Sequence, residues 1–261
     1  MHCVIIAGGL PAPDDPLYAY TQGKSKALID MHGRTMLERV VDALQNSQSI
    51  EEIVVAGLGS DQGMTFARPV HHLADQGSLV TNARAGMIWL RQRHPTSSDR
   101  ILICSADVPA ITAEQIDAHI AACQPLDKSI YYIFATKETI EKRFPHSERT
   151  YVKLKGREIA GGDLVIADSD LAEGNDELFE KLTNARKHAW QLARIVGLRF
   201  LLKLLLRQIS FTDIEDAVWR TIGKEAKIML TPHAELAMDA DRPDQIELLR
   251  ADLARQANLA G

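Results

Sequence analysis

The sequence is poor in cysteine. Only three cysteines occur among 261 residues, Cys3, Cys104 and Cys123, and each lies in or beside an apolar run. None belongs to a Cys-x-x-Cys pair, so the cysteine spacing predicts neither a disulfide framework nor a zinc site. This usage is typical of a reducing compartment, and we expect a cytoplasmic location.

Long apolar runs and an excess of positive charge are also missing. No stretch of 18 consecutive apolar residues occurs, and the chain enters an apolar segment at once, without a charged leader and a small-residue cleavage site. We therefore expect neither membrane spanning nor secretion. The 30 basic and 35 acidic residues give a net charge of -5. Such a balance offers no global footprint for nucleic acid, although a phosphate-rich small molecule needs only a local positive site.

What the sequence has is a regular alternation of short apolar runs and helical patterns. The apolar runs are typical of buried strands, and the segments between them repeat apolar residues with the helical period. Strands that alternate with helices predict right-handed βαβ units and a mostly parallel sheet. The strands are expected at 3–7, 52–58, 100–106 and 129–136, and the helices at 35–47, 77–93 and 112–124. Thr112 and Gln115 are expected to form a capping box.

The pattern changes after residue 140. Two segments alternate like half-exposed strands, and a long helical stretch follows from about 175 to 223. A last strand at 227–232 and a last helix at 243–257 are expected to return to the main sheet. The sequence therefore predicts one domain, with a core at 1–136 and 225–257 and an inserted subdomain at about 140–224.

Three polar segments follow predicted strands and should meet at one sheet edge, where ligands of open α/β sheets bind. They are "AGG" at 7–9, "SADVP" at 105–109 and "MDADRP" at 238–243. Gly8 and Gly9 let backbone N–H groups approach a base or phosphate, and Lys26 can neutralise a phosphate. The alternative for the glycines is a turn that requires them for backbone reasons only.

Asp107 is a carboxylate at the end of a strongly apolar strand, which is costly unless a positive group meets it. Magnesium suits this position because it usually binds one or two carboxylates plus substrate phosphates. The alternative is a turn or helix-capping aspartate. Asp239 and Asp241, two residues apart in an extended segment, point to one side and are candidates for the same metal. Equally, they form a solvated turn before a helix whose first turn holds Asp244.

The segments "VIIAGG", "SKALIDMHGRTMLERVVDAL", "ICSADVPAIT" and "AMDADRPDQIELL", in this order and spacing, resemble the MobA-like NTP transferases. These relate to molybdenum-cofactor guanylyltransferase and to sugar-phosphate nucleotidyltransferases. The resemblance covers residues 1 to about 136 and 225–257. It implies a three-layer α/β/α, Rossmann-like fold of the glycosyltransferase-A type, with a mostly parallel sheet and here a helical insertion.

The resemblance also implies roles for particular residues. The first loop wraps the nucleotide, Lys26 contacts phosphate, and Asp107 binds Mg²⁺ together with Asp241 and its neighbour Asp239. The complete nucleotide-binding set is Ala7, Gly8, Gly9, Lys26, Gly77, Ser78, Asn82 and Gly86. The acceptor-phosphate pocket is implied at Gly161, Gly162 and Asp163, for which the alternative is a hairpin turn that brings 151–156 back against 164–168.

The first loop departs from the family pattern. An arginine usually follows the glycines, whereas "LPAPDDPLYAYTQG" is acidic and rich in proline. Arg34, Arg84 and Lys24 are candidates for the missing charge. Arg186 and Lys187 are candidates to bind an acceptor phosphate. The alternative is that they lie on a solvated helix face. His71 and His72 are expected on a strand, and we do not predict them as ligands.

The expected activity is Mg²⁺-dependent transfer of an NMP from an NTP to a phosphorylated small-molecule acceptor, with Lys26 and Asp107 as catalytic residues and pyrophosphate as product. The alternative is a nucleotide-binding or regulatory module of the same fold. A dehydrogenase is disfavoured because "AGGLPAPDD" is not G-x-G-x-x-G.

The segment 188–211 is apolar over most of its helical circumference, with Arg194, Arg199, Lys203 and Arg207 on one side. Leu198, Leu201, Leu202 and Leu205 are expected to form a continuous apolar face. Three destinations are open: burial within the insertion, a homodimer interface, or a peripheral membrane contact around 194–207.

Overall fold

The structure is a computed structural model that describes residues 1–95, 100–173 and 198–260. Its described part contains one sheet of eight strands in the order β3-β2-β1-β4-β7-β5-β8, with β6 paired to β7. β7 runs antiparallel to β4 and β5, and the remaining pairs along this path are parallel. The strands are β1 (His2–Ile6), β2 (Ile53–Ala56), β3 (His71–Leu73), β4 (Arg100–Ser105), β5 (Ile130–Thr136), β6 (Val152–Leu154), β7 (Arg157–Asp168) and β8 (Ala226–Leu230).

Helices cover the sheet, and several begin at capping boxes that the sequence encodes. Thr35, Ser78, Thr112 and Ser210 each cap a helix through the side chain. The predicted box of Thr112 with Gln115 is confirmed. The helices are α1 (Tyr18–Thr21), α2 (Met36–Asn46), α3 (Leu79–Arg93), α4 (Ala113–Ala122), α5 (Lys137–Arg143), α6 (Leu198–Leu205), α7 (Phe211–Ile222) and α8 (Pro243–Ala260), with short 3₁₀ turns at Lys26–Leu28, Ser169–Ala172 and Ala234–Ala237.

The alternation of side chains along β1 produces the three layers. Cys3 and Ile5 pack in one core with α2 and α4, whereas Val4 packs on the opposite face with α3. Because both faces are covered, the central strands are apolar on both sides rather than alternating. The predicted three-layer α/β/α arrangement with a mostly parallel sheet is confirmed.

Strand β7 corrects the predicted insertion. Residues 157–168 were assigned outside the main sheet, but the structure places them between β4 and β5, with Leu164 and Ile166 fully buried. The prediction was wrong because Gly161 and Gly162 indicate a turn in the sequence, whereas they lie inside one continuous strand of 12 residues. Sequence periodicity also carries no information on which strands become neighbours in a sheet.

The predicted long helix at 175–223 is also corrected where it is described. α6 ends before Arg207, whose φ is 57°, and α7 begins only after Ser210. Between them, the carbonyl of Ile209 accepts a hydrogen bond of 3.0 Å from the Lys155 N–H, which docks the break against the β6–β7 turn. Residues 174–197, which include Arg186, Lys187 and Arg194, lie outside the described residues.

Two of the four leucines of the predicted apolar face are exposed, whereas Leu201 is half-buried. Leu202 is 50% exposed and Leu205 is 79% exposed. The homodimer and peripheral membrane options for this face stay predictions. No helix within residues 1–95, 100–173 and 198–260 combines the length and apolarity that crossing a bilayer requires.

Candidate functional site

The three polar segments that follow predicted strands converge at the carboxyl edge of the sheet. Backbone hydrogen bonds join them: the Ala106 N–H donates to the Ile6 carbonyl at 3.0 Å, and the Ala240 N–H donates to the Asp107 carbonyl at 2.9 Å. The Ser25 hydroxyl donates to the Ala7 carbonyl at 2.9 Å. The first loop, the end of β4 and the segment before α8 are therefore held as one site.

Lys26 lies at the centre of this site, at the start of a 3₁₀ turn that Ser25 caps. Its ammonium contacts Asp107 Oδ2 and lies 2.5 Å from Asp241 Oδ1. Asp107 is only 6% exposed, whereas the side chain of Asp241 is 55% exposed. Burial opposes the charge of Lys26, but the two carboxylates outweigh it and raise the pKa of the ammonium above its ordinary value.

A second group of charges lies beside the first. Arg149 contacts Asp239 through Nη1, and its Nη2 lies 3.8 Å from Asp163 Oδ2 and donates to the Gly161 carbonyl at 3.4 Å. Burial raises the pKa of Asp239, and Arg149 opposes that shift. For Asp163, burial together with the Asp107 and Asp239 carboxylates raises the pKa well above its usual range.

Arg149 is a site residue that the sequence analysis missed. It lies between α5 and β6 in "PHSERTY", which matches no motif and has no periodicity. Three residues were candidates to replace the positive charge that is missing from the first loop, and each has another contact or is exposed to solvent. Arg34 lies 2.6 Å from Asp42, Arg84 donates to the Ala172 carbonyl, and Lys24 is exposed.

The predicted metal ligands divide into two kinds. Asp107 Oδ1 is buried and has no hydrogen-bond partner among the described residues, and the Asp241 carboxylate is accessible on the other side of Lys26. Asp239 is instead engaged by Arg149. The three aspartates, all within the described part of the chain, do not bring three carboxylate oxygens within 4.8 Å of one another. Two oxygen ligands, Asp107 and Asp241, suit Mg²⁺, which completes its shell with phosphate and water.

The glycine loop is tied to α3 through Asp75, which the sequence analysis also missed. A Cβ on Gly8 would lie 2.4 Å from Asn82 Nδ2 and 2.8 Å from Asp75 Oδ1, so any larger residue would displace these two side chains. Asn82 donates to Asp75 at 2.7 Å and the Gly77 N–H donates to the same oxygen at 3.0 Å. These hydrogen bonds hold the pKa of Asp75 below its usual value.

Three further residues of the predicted nucleotide-binding set, Gly77, Ser78 and Gly86, have roles in the fold itself. Gly77 has a φ of 86°, which favours glycine, and it precedes Ser78, whose hydroxyl caps α3 by accepting from the Thr81 N–H at 3.1 Å. Gly86 faces the sheet: a Cβ there would lie 2.4 Å from Val4 Cγ1. Close packing of α3 on β1 therefore accounts for this glycine, and its contact with nucleotide stays a prediction.

Gly161 and Gly162 lie inside β7, where its pairing with β5 shifts register between Tyr132 and Phe134. Cβ atoms there would lie 2.3 Å from the Tyr132 hydroxyl oxygen and 2.5 Å from Ile133 Cγ1. The hairpin-turn alternative was wrong, because β6 pairs with 157–159 across the Lys155–Gly156 turn. The glycines instead leave room for Tyr132 and bring Asp163 to Arg149.

Residues 3–194 match the MobA-like NTP transferase domain family. The match extends through much of the segment assigned to an insertion and ends before Asp239 and Asp241.

Among solved structures, a hypothetical transferase from Thermus thermophilus is 31% identical, with a TM-score of 0.76, over 94% of this chain and 98% of that one. Two more distant structures share the fold. A 4-diphosphocytidyl-2C-methyl-D-erythritol synthase from Anaerococcus prevotii is 12% identical, with a TM-score of 0.58, over 97% of this chain and 98% of that one. A CMP:2-keto-3-deoxy-manno-octonic acid synthetase complexed with CTP is 12% identical, with a TM-score of 0.56, over 98% of each chain. Given the match over residues 3–194 and the shared fold, the chain belongs to the MobA-like NTP transferase family.

Proposed function

We propose that the protein transfers an NMP from an NTP to a phosphorylated small-molecule acceptor and releases pyrophosphate, in a Mg²⁺-dependent reaction. The observation that carries this proposal is the position of Lys26 between Asp107 and Asp241, beside the glycine loop at 7–9. An ammonium held by two carboxylates at this edge offers one site for a phosphate and two oxygen ligands for a metal.

The glycine loop and α3 bind the nucleoside end of the NTP in this proposal. Gly8 and Gly9 bring the backbone to the ligand without side chains in the way, and Asn82, buried at 1% exposure, fixes the loop through Asp75. Ala7 is held by Ser25, next to Lys26. The base and the phosphates therefore approach from one side of a preorganised loop, which lowers the entropic cost of alignment.

Asp107 and Asp241 would hold the magnesium. When bound, the metal neutralises phosphate oxygens and stabilises the charge that develops on the leaving pyrophosphate. Lys26 places a second positive charge on the same phosphates, and because its pKa is raised it stays protonated throughout. An acceptor that is itself a phosphate anion needs no general base, which agrees with a site built from aspartates and cations.

The acceptor approaches the Gly161–Asp163 side, where Arg149 supplies the buried positive charge. Arg149 contacts Asp239 and lies 3.8 Å from Asp163, so its first task is to keep this wall of the site in place. The cytoplasmic location and the homodimer stay predictions beside this proposal.

The proposal is tested by NTP binding followed by product formation. Calorimetry with each of the four NTPs and Mg²⁺ identifies the nucleotide, and pyrophosphate release is then measured with a panel of sugar and alcohol phosphates. We expect tight binding of one NTP and release only with a phosphorylated acceptor. Absence of binding for all four NTPs would contradict the proposal, and binding without release across a broad panel would favour the nucleotide-binding module.

A further inference from the structure

Two histidines and one glutamate meet at the amino edge of the sheet, opposite the proposed active site. His2 begins β1, Glu52 immediately precedes β2, and His94 is the C-cap residue of α3. One ligand atom from each lies within 4.8 Å of the others. The Cys3 N–H donates to the Glu52 carbonyl at 2.9 Å, which fixes two of the three segments.

We propose that His2, Glu52 and His94 form a binding site for a transition-metal dication such as Zn²⁺. Two imidazoles and one carboxylate are the donor set that zinc prefers, whereas Mg²⁺ prefers oxygen ligands alone. The site is separate from the aspartates at the carboxyl edge and performs no step of the transfer reaction. Its expected task is structural, because the metal would join β1, the segment before β2 and the end of α3.

The carboxylate is already oriented for this task. Arg93 Nε and His71 Nε2 both lie 2.9 Å from Glu52 Oε1, which leaves Oε2 to contact His94 Nε2. Such outer contacts fix the orientation of metal ligands in known sites. Burial opposes the charge of Glu52, but hydrogen bonds from His94 and Arg93 keep the pKa of this carboxyl below its ordinary value.

The two imidazoles lie face to face. The rings of His2 and His94 are stacked, with centroids 4.1 Å apart and an interplanar angle of 21°. Burial and the neighbouring His94 lower the pKa of His2, and Glu51, 3.6 Å from His2 Nε2, only partly opposes this shift. A neutral imidazole is the form that binds metal.

The contact between His94 Nε2 and Glu52 Oε2 brings two ligand atoms of the proposed site together. A metal would replace this contact and bind both atoms. Other charged groups around the site are the N-terminal ammonium, Glu51, Arg93 and His71. His94 is partly exposed, so a metal can enter without unfolding the edge.

The test uses the tag-free full chain, since tag histidines would bind the same ions. Millimolar Mg²⁺ is kept present to occupy the oxygen-ligand site. Titration with Co²⁺ and Zn²⁺ is followed by visible absorption and calorimetry. We expect one equivalent to bind, with the cobalt spectrum of a nitrogen and oxygen site of low coordination number. Saturation with Zn²⁺ should raise Tm by about 5 °C.

His94→Ala should weaken Zn²⁺ binding by at least ~100-fold and remove the rise in Tm. Glu52→Gln should do the same, and His32→Asn is the matched control, because His32 is exposed and has a φ of 63° that asparagine tolerates. Retained binding in His94→Ala, or loss of binding in Asp107→Asn, would overturn the proposal. If a variant does not fold, anomalous diffraction from Zn²⁺-soaked wild-type crystals decides: an ion at His2 and His94 supports the site, and no ion there contradicts it.

Discussion

Two groups of charges lie side by side at the carboxyl edge of the sheet, and they differ in exposure. In one, Lys26 lies between Asp107 and the half-exposed Asp241. In the other, Arg149 is buried against Asp239 and Asp163. Each group combines one cation with two aspartates, but the first is the more exposed, because the Asp241 side chain is 55% exposed and the Asp163 side chain is 21% exposed.

The two groups also differ in how their charges are balanced. Because burial and the neighbouring carboxylates raise the pKa of Asp163, this carboxyl keeps its proton to higher pH than a free aspartate does, and Arg149 then faces one charged aspartate. Lys26 faces two carboxylates, and the pKa of each cation is raised by its aspartates. The Lys26 group therefore has room for a further cation, whereas the Arg149 group is already balanced. The comparison assigns metal and phosphate binding to the first group and support of the site to the second.

The largest expected effect is on stability. Arg149→Met should leave Asp239 buried without a cation and reduce the free energy of unfolding by about 3–5 kcal/mol. Urea denaturation measures it, and Mg²⁺ should not restore the loss. Arg149→Lys should lose less, and Arg220→Met, the same change at an exposed position of α7, should stay within about 0.5 kcal/mol of wild type. Equal effects of Arg149→Met and Arg220→Met would refute the supporting role.

Asp107→Asn should preserve the fold and reduce turnover about 10³-fold, because it removes a metal ligand and keeps the side-chain shape. Pyrophosphate release at saturating Mg²⁺ is the measurement, and circular dichroism checks the fold. Asp216→Asn, at an exposed position of α7, is the matched control and should retain full turnover. Wild-type turnover in Asp107→Asn would remove this residue from the mechanism.

Lys26→Ala tests whether Mg²⁺ can compensate for the loss of the ammonium between Asp107 and Asp241. Turnover and NTP affinity should each fall about 10- to 100-fold, which corresponds to the loss of one charge-assisted contact. Without magnesium the variant should also be destabilised by about 1–2 kcal/mol, since Asp107 then lacks its partner. Mg²⁺ should restore this stability, in contrast to Arg149→Met. As a control, Lys24→Ala changes an exposed neighbour and should behave as wild type. If Mg²⁺ does not restore the stability of Lys26→Ala, no metal takes the place of Lys26.

Part of the Lys26 group could be predicted for a physical reason. Asp107 follows an apolar strand and Asp241 precedes a helix, and the rule that strand ends share one edge brings these two together without knowledge of the loops. Lys26 lies at the far end of the first loop, in a 3₁₀ turn, and the strand-end rule does not reach it. The three layers could be predicted on the same basis, since β1 is apolar on both faces. Local periodicity and caps determine these features.

The Arg149 group could not be predicted, because the order of the strands in the sheet decides which residues lie next to Asp163. β7 enters the sheet between β4 and β5, which places Asp163 beside Asp107, and no local pattern reports that neighbour. Arg149 lies in an irregular segment, and Asp75 acts by accepting hydrogen bonds from Asn82 and from the Gly77 N–H. The glycines at 161–162 signalled a turn, whereas their task is to make room for Tyr132 and Ile133 inside a strand.

The smallest expected effect is the dependence of stability on pH that the Asp163 carboxyl produces. The unfolded carboxyl ionises near pH 4, whereas the folded one keeps its proton to higher pH, because burial and the Asp107 and Asp239 carboxylates raise its pKa. The folded state therefore binds more protons over this interval, and wild-type stability falls as pH rises from about 4 towards the folded pKa.

Asp163→Asn removes that loss, because the amide carries no charge at any of these values of pH and has nearly the same shape. The variant should match wild type near pH 4 and exceed it in Tm by a margin that grows towards pH 8, provided that Arg149 keeps its contact with Asp239. Calorimetric melting across this pH series is the measurement, with Asp216→Asn as the control, for which no growing margin is expected. A variant that becomes less stable than wild type as pH rises would show that Arg149 needs Asp163 ionised, and the two groups would then balance their charges in the same way.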